Sequence, residues 1–349
     1  MTRRLVARLD NIGDVLLAGP AVRAVANSGE PVTFLAGPGG ADAAALLPGV
    51  EELIVFDAPW VPYVPSPVDE RAIAALIERV RTHAIDEAIV LTSFHQSPLP
   101  LALLLRLAGV RRIAATCVDY PGALLDVRHP YDPALHEVEQ SLSLCAAAGH
   151  SLPADDDGLL ALDVPLTRPQ RPVADYVVVH PGASVPARGL PASSATDVVT
   201  ALAAAGYHVV VTGSASEVEL GQAITANAPP GTTSLRCGST RLAELATVIA
   251  GACVVVCGNT SVAHIAAAVG TPVVEAFAPV VPAHRWRPWG VPHVLLGDLD
   301  IGCSGCRARV CPVPGQPCLK PFTAAAVLEA IESLSDAVLR TTPSTRVPA

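Results

Sequence analysis

CVVVCGNTSVAHIAAAVGTPVV, residues Cys253 to Val274, decides the fold of this chain. Cys253-Val254-Val255-Val256-Cys257 is a short apolar run closed by Gly258-Asn259, the pattern of a strand covered on both faces in a parallel sheet. Asn259, Thr260 and Ser261 supply cap-type side chains, and His264 to Val269 tolerates a helix until Gly270-Thr271-Pro272 stops it. A helix beginning at the carboxyl end of a buried strand turns free backbone N–H groups and a positive dipole end into a crevice, where an anion can bind without a metal. The plainer account is an ordinary capped turn between strand and helix.

The same alternation extends on both sides. Tyr176-Val177-Val178-Val179-His180, Val209-Val210-Val211 and Pro272-Val273-Val274 read as further strands, with helices near 192 to 205, 216 to 226 and 240 to 250. Toward the amino terminus, strands fall at 4 to 9, 32 to 35, 53 to 56, 88 to 91 and 113 to 115. Asp10-Asn11-Ile12-Gly13-Asp14 is the turn after the first of them, and Gly19-Pro20 implies a kink or restart in the helix that follows. This turn lacks the spacing of a dinucleotide fingerprint. Asp14 sits at its end, where the plainer account is a first-turn carboxylate stabilised by the helix dipole. Pro59 to Pro67 and Asp119 to Pro133 read as loops, the second holding His129 with His136 just beyond; neither histidine is given a catalytic role.

LTRPQRPVA, between Asp163 and Asp175, has no hydrophobic periodicity and reads as a linker. The expected organisation is a first α/β domain over 1–165, a second over 172–322, a helix over 323–340 and a loose polar tail over 341–349. A chain of 349 residues is long for one core, which agrees with two domains. Hydrophobic residues are 51% of the chain and charged ones 16%, but Pro98-Leu99-Pro100, Arg106, Asn259, His264 and Glu275 interrupt the apolar runs, so no transmembrane segment is expected. Arg8, Asp10 and Asp14 break any signal-peptide core, and a cytoplasmic location is the expectation. A formal charge of −9 argues against a nucleic-acid partner, whose phosphates demand a basic surface.

Taken in order, RLVARLDNIGDVLLAGPAVRAV, VVVHPGASVPARGLP, VVVTGSASEVELGQAI, VVVCGNTSVAHIAAAVGTPVV and WRPWG resemble glycosyltransferase family 9, the ADP-heptose:lipopolysaccharide heptosyltransferases of lipopolysaccharide core biosynthesis. The resemblance implies a GT-B fold, two Rossmann-like doubly wound parallel-sheet domains facing a central cleft. It implies an inverting, metal-independent transfer of a sugar, such as a heptose, from a nucleotide-diphosphate donor, ADP-linked by preference, to a glycan, lipid or small-molecule acceptor. Peripheral contact with a membrane is compatible with such an acceptor.

By the same resemblance Asp14 is the general base. Ser184, Arg188, Glu217, Asn259, Thr260, Ser261 and His264 form the donor site, with Arg188 also assisting catalysis and Glu217 meeting the ribose. Inverting transfer needs one carboxylate to take the acceptor proton, and a cation with oriented N–H groups to receive the departing diphosphate. Arg188 stands where the family usually has lysine, and Asn259 replaces an acidic residue, which puts the identity of the sugar in question. The plainer accounts are a loop charge for Arg188, a helix first-turn acid for Glu217 and a packed polar residue for His264. Asp155-Asp156-Asp157 reads as a solvated loop and not as a metal motif. Two other readings share the architecture, a nucleotide-sugar 2-epimerase and a non-catalytic nucleotide-sugar binding protein.

Cys303, Cys306, Cys311 and Cys318 crowd a Gly/Pro-rich stretch, and four thiols at this density raise a structural zinc site as an expectation. The spacing fits neither a zinc ribbon nor a ferredoxin, so reduced thiols or a chance disulfide stand beside it.

Overall fold

A computed structural model describes residues 2–165 and 176–341. The chain divides into two compact units, Met1–Asp163 and Val164–Ala349. The expected linker and tail lie almost wholly outside the described residues.

In the first unit β1 (Arg4–Arg8), α1 (Ile12–Leu17), α2 (Gly19–Ala26), β2 (Val32–Ala36), α3 (Ala41–Ala44) and β3 (Val50–Val55) come first. They are followed by α4 (Glu70–Thr82), β4 (Glu87–Val90), α5 (Leu99–Leu107), β5 (Arg112–Thr116), β6 (Val127–His129) and α6 (Glu137–Ala148). The strands form one parallel sheet in the order β3-β2-β1-β4-β5-β6. Its central strands are buried on both faces, as β2 shows over all of Val32–Ala36. One face packs through Leu5, Ala7, Leu35 and Ile54 onto Leu76 and Val80 of α4 and Leu101 and Leu105 of α5. The helix after β1 does restart, at Gly19-Pro20, where proline occupies the first turn and has no N–H to leave unpaired.

In the second unit β7 (Tyr176–His180), α7 (Ala192–Ala204), β8 (His208–Val211), α8 (Val218–Thr225), β9 (Thr233–Leu235) and α9 (Leu242–Ala250) lead into the decisive stretch. There β10 (Val254–Gly258), α10 (Ser261–Val269) and β11 (Val273–Ala276) follow directly, and α11 (Ala283–Trp286), β12 (His293–Leu296) and α12 (Ala324–Thr341) complete the unit. The order β12-β11-β10-β7-β8-β9 is the arrangement of the first sheet repeated. β10 is buried throughout, in register with Val177–His180 on one side and with Val273–Ala276 on the other. A buried valine adds roughly 1.5–3 kcal/mol, so this run alone anchors the sheet.

The reading of 253–274 needs one adjustment: α10 starts at Ser261, because Thr260 accepts the Val262 N–H at 3.2 Å and closes the first turn. Gly270 ends the helix at φ 80°, a conformation glycine adopts without cost. Three strands were not expected: β6, inside the supposed loop 119–133, β9 and β12. The expectation of a solvated 155–157 loop holds for the exposed Asp155 and Asp157 and is corrected for Asp156. Asp156 pairs with Arg23 through two contacts, at 2.6 and 2.9 Å, because a guanidinium fork on α2 matches the carboxylate geometry.

Candidate active site

In a doubly wound sheet, ligands bind beyond the carboxyl ends of the two strands where the winding reverses. The order of strands puts that point between β1 and β4 in the first unit and between β7 and β10 in the second. Every catalytic or donor-site residue expected from the sequence lies on a segment leaving one of these strands, except Glu217, which follows β8, while the four cysteines of the expected metal site follow β12.

In the first unit β1 ends at Arg8, whose side chain is 3% exposed. Its Nε lies 2.6 Å from Asp10 Oδ2, its Nη2 2.8 Å from Asp14 Oδ1, and its Nη1 3.6 Å from Glu137 Oε2 in the first turn of α6. Nη2 also donates to Ser93 Oγ, just past β4, at 2.8 Å. Gln96 Nε2 donates to the other Asp10 oxygen at 2.6 Å. Asp14, at 24%, is much the most exposed of the three carboxylates; the others are 9% and 4%. Burial pushes Asp10 up to about 6, against the pull of Arg8 and helped by Asp14 and Glu137. The same three acids hold the Arg8 proton more tightly than usual despite the burial that opposes its charge.

In the second unit the segment after β7 carries exposed Ser184 and a single helical turn, Pro186–Arg188, with Arg188 half-buried. A Cβ at Gly258, the last residue of β10, would collide with the Arg188 carbonyl oxygen. Glycine at the strand end therefore lets the Arg188 backbone lie against the start of α10. Beside it, Asn259 is buried and donates to Ala278 O at 3.4 Å, while its own side-chain oxygen has no partner among the described residues. Thr260 and Ser261 are partly open at the helix start, and His264 is buried one turn on.

Glu217 serves two neighbourhoods. Its Oε2 accepts the Ser214 N–H at 2.6 Å and the Ser214 hydroxyl at 2.9 Å, so the plainer account of a first-turn acid is satisfied. The same carboxylate occupies the space a Cβ at Gly182 would need, which sets it against the turn after β7. His180, at the end of β7, shares a hydrogen bond with Thr212 Oγ1 at 3.0 Å; burial holds it down to about 4, against the opposing charge of Glu217. It is thus neutral at physiological pH.

The four thiols lie on a loop packed behind Arg188. Cys303 and Cys306 are exposed, Cys311 is partly covered and Cys318 is buried. Among the described residues no group of three or more Cys, His, Asp or Glu side chains is placed to hold a metal, so these positions do not form a ligand set as they stand. The loop holds the backbone of the Arg188 turn at two points: Ala187 N donates to Arg309 O at 2.9 Å, and the Gln316 side-chain Nε2 donates to Ala187 O at 2.7 Å.

The profile of glycosyltransferase family 9 (heptosyltransferase) matches residues 73–316. The chain belongs to glycosyltransferase family 9. No curated protein matches the sequence. Among solved structures, a family 9 glycosyl transferase from Veillonella parvula superposes with a TM-score of 0.76 at 17% identity, over 95% of this chain and 97% of that one. E. coli ADP-heptose lps heptosyltransferase II gives 0.73 at 20% identity over 97% and 100%. E. coli heptosyltransferase WaaC with ADP-2-deoxy-2-fluoro heptose gives 0.73 at 21% over 95% and 99%. These likenesses establish the GT-B fold of two Rossmann-like domains that the family 9 motifs implied, and family membership makes the chain a glycosyltransferase. No described helix is long and apolar enough to cross a membrane.

Sequence reasoning missed Arg8, Asp10 and Glu137. Arg8 and Asp10 entered it as part of the first strand and of the turn after it, and as charges interrupting an apolar stretch, but not as site residues. The available signal was their place: two charges at the mouth of a buried central strand have to find partners.

Proposed function

We propose that this family 9 member is an inverting glycosyltransferase that moves a sugar from an ADP-linked donor, with a heptose the family's precedent, to a glycan, lipid or small-molecule acceptor. The observation that carries the reading is topological: the partly exposed Asp14 and the Arg188–Thr260 pair each stand at the winding reversal of a sheet. Asp14 takes the acceptor hydroxyl proton as that oxygen attacks the anomeric carbon. The diphosphate leaves with the bonding electron pair, and the Arg188 guanidinium and the first turn of α10 receive its charge. Ser184, Asn259, Ser261 and His264 line the donor, and Glu217 meets the ribose with the oxygen that the Ser214 turn leaves over. The scheme asks nothing of a metal.

Two measurements test it. In a thermal-shift panel of ADP, UDP and GDP, ADP should raise the melting temperature most, since a ligand that binds only the native state stabilises it; no shift with any of the three would reject the donor site. Asp14→Ala should lower transfer about 100-fold or more and keep the ADP shift. Epimerised free donor without acceptor would favour the epimerase reading, and ADP binding with no turnover on any acceptor the non-catalytic one.

Drawing Cys303, Cys306, Cys311 and Cys318 around a structural zinc would require the loop to rearrange. Metal analysis of untagged protein decides it: one equivalent of zinc or iron supports the site, and well under one removes it.

A further inference from the structure

The loops at the carboxyl edge of the first sheet hold no lysine or arginine. Residues 9–11, 37–40, 56–69, 91–98, 117–126 and 130–136 leave its strands there, and none of them carries a fixed positive charge. The arginines closest in sequence are engaged or distant. Arg8, 3% exposed, is enclosed by its ion pairs. Arg128 on β6 donates to Cys117 O at 3.1 Å and to Val118 O at 2.8 Å, and Arg71 opens α4 beyond β3, at the sheet edge opposite β6. Carboxylates stand at this rim instead: Asp14 in the first turn of α1, and exposed Asp119 and Asp132 in the loops after β5 and β6. An anion brought here meets like charge, with no guanidinium fork or ammonium on these loops to receive it.

What the rim offers is rings. Aromatic residues make up only 4% of the chain, yet Phe94 and Tyr131 lie side by side here, from the loops after β4 and β6. Their planes are 24° from parallel and their centroids 6.1 Å apart, with His95 edge-on to Phe94 at 5.3 Å and 76°. Nearly parallel rings at that separation overlap only in part, so the pair spans more surface than either ring. Both are partly exposed, and neither belongs to the buried cluster beneath α4 and α5. Two glutamines hold the turns that carry them. Gln140, 7% exposed on α6, accepts the Asp132 N–H at 2.9 Å and donates to Pro130 O at 3.3 Å, bracketing Tyr131. Gln96 accepts the Ser93 N–H at 3.3 Å and donates to Asp10 at 2.6 Å, closing the turn around Phe94 and His95. Ser93 Oγ accepts from the same Arg8 Nη2 that holds Asp14, each at 2.8 Å, so the Phe94 turn and the base are fastened to one guanidinium. Rings fixed in this way lose little freedom when a ligand settles on them.

We propose that the acceptor is a neutral saccharide, one sugar ring of which stacks on the Phe94–Tyr131 platform and presents a hydroxyl to Asp14. This deepens the proposed transfer and rests on Asp14 as its base. The apolar C–H face of a sugar ring suits the negative face of an aromatic one, which repels a phosphate or carboxylate. Hydroxyls around the sugar's edge donate to ionised carboxylates such as Asp132, which only accept. In the step, the acceptor O–H bond breaks and its proton passes to Asp14. The hydroxyl oxygen bonds the anomeric carbon of the donor, and the bond to the diphosphate breaks with its electron pair leaving on the nucleotide.

Saturation-transfer-difference NMR on the full chain tests this without turnover. The probes are methyl α-glucoside, methyl α-mannoside and methyl β-galactoside, set against glucose 6-phosphate and mannose 6-phosphate, each at about 10 mM because stacking on one platform supports roughly millimolar affinity. At least one methyl glycoside should be saturated, most strongly along one ring face, and the phosphates about 5-fold less or weaker. Phe94→Ala and Tyr131→Ala should each weaken binding of that glycoside about 3- to 10-fold, while Tyr131→Phe, which keeps the ring, matches wild type and the ADP thermal shift stays unchanged in all three. Should an alanine variant melt early, Phe94→Leu, which keeps apolar bulk without the ring, decides in its place. Preference for the phosphates, no saturation of any glycoside, or a glycoside signal indifferent to ring loss overturns the proposal. So does co-sedimentation with phosphatidylcholine vesicles that Phe94→Ala abolishes while no glycoside binds, which assigns the rings to a lipid. Failure of the transferase reading looks different: glycosides still bind at the rings, but ADP gives no shift or Asp14→Ala still transfers sugar.

Discussion

Glu275 lies on β11, in register between Cys257 of β10 and Leu295 of β12, fully buried and with neither carboxylate oxygen hydrogen-bonded among the described residues. Burial holds its carboxyl well above the usual range, so the folded chain keeps this proton to higher pH than the unfolded chain does. Its contribution to stability is complete below about pH 4.5, the value in an unfolded chain, and falls as pH rises toward the folded value. Glu275→Gln should therefore melt higher than wild type at pH 8, by roughly 2–4 °C for each kcal/mol relieved, with the gain vanishing near pH 4.5. Equal gains at both pH values would contradict the linkage. At this scale the sequence offered Asp14, Arg188 and Thr260 through the family 9 resemblance, since their local patterns read equally as a first-turn acid, a loop charge and a helix cap. It hid Glu275 and the Arg8 partners, because a charge inside an apolar run shows neither its burial nor what the fold brings to it from distant segments.

Covered strands were the most legible, with β3 the exception, a largely exposed edge strand that its apolar run at 53 to 56 still gave away. The central strands β1, β2, β4, β7, β8, β10 and β11 announced themselves as apolar runs. The three that were missed, β6, β9 and β12, are all edge strands, where only one neighbour pairs and a segment such as Thr233–Leu235 needs no continuous apolar pattern. The cysteine loop was read as four thiols, yet in the structure its hydrogen bonds, from backbone and from the Gln316 side chain, are what tie it in place. It is tied to Pro279 and Val280 through Gly305 and Arg307 on one side, and to Ala187 on the other. An open pocket of about 880 Å³ lies between part of the loop and the start of α7, lined by Ala187, Ser194, Asp197, Cys311 and Phe322. Gln316→Ala, which deletes the hydrogen bond to Ala187 O, should cost about 0.5–1.5 kcal/mol. It should weaken ADP binding by roughly 3- to 10-fold by calorimetry, and unchanged affinity would show that the turn holds its shape alone.

Each unit carries its own buried cluster, one built on Leu5, Ile54 and Leu101 and the other on Val177, Val256 and Phe322. Independent cores predict that scanning calorimetry resolves two unfolding transitions. ADP at 100 times its dissociation constant should raise only the one belonging to the second unit, by about 2.7 kcal/mol, which is roughly 5–10 °C for a domain of this size. A single transition raised as a whole would mean the cores melt together. The way the chain leaves the first unit has a practical use. Arg23 clamps Asp156 and the Leu159 carbonyl onto α2, Asn27 holds the Ser151 carbonyl, and Asp163 N donates to Leu46 O at 2.7 Å. The path is committed up to Asp163, so a chimera that grafts another family member's second unit onto this first one has its natural seam immediately afterwards, whereas a junction cut before Ser151 would strip the clamp and unsettle α2.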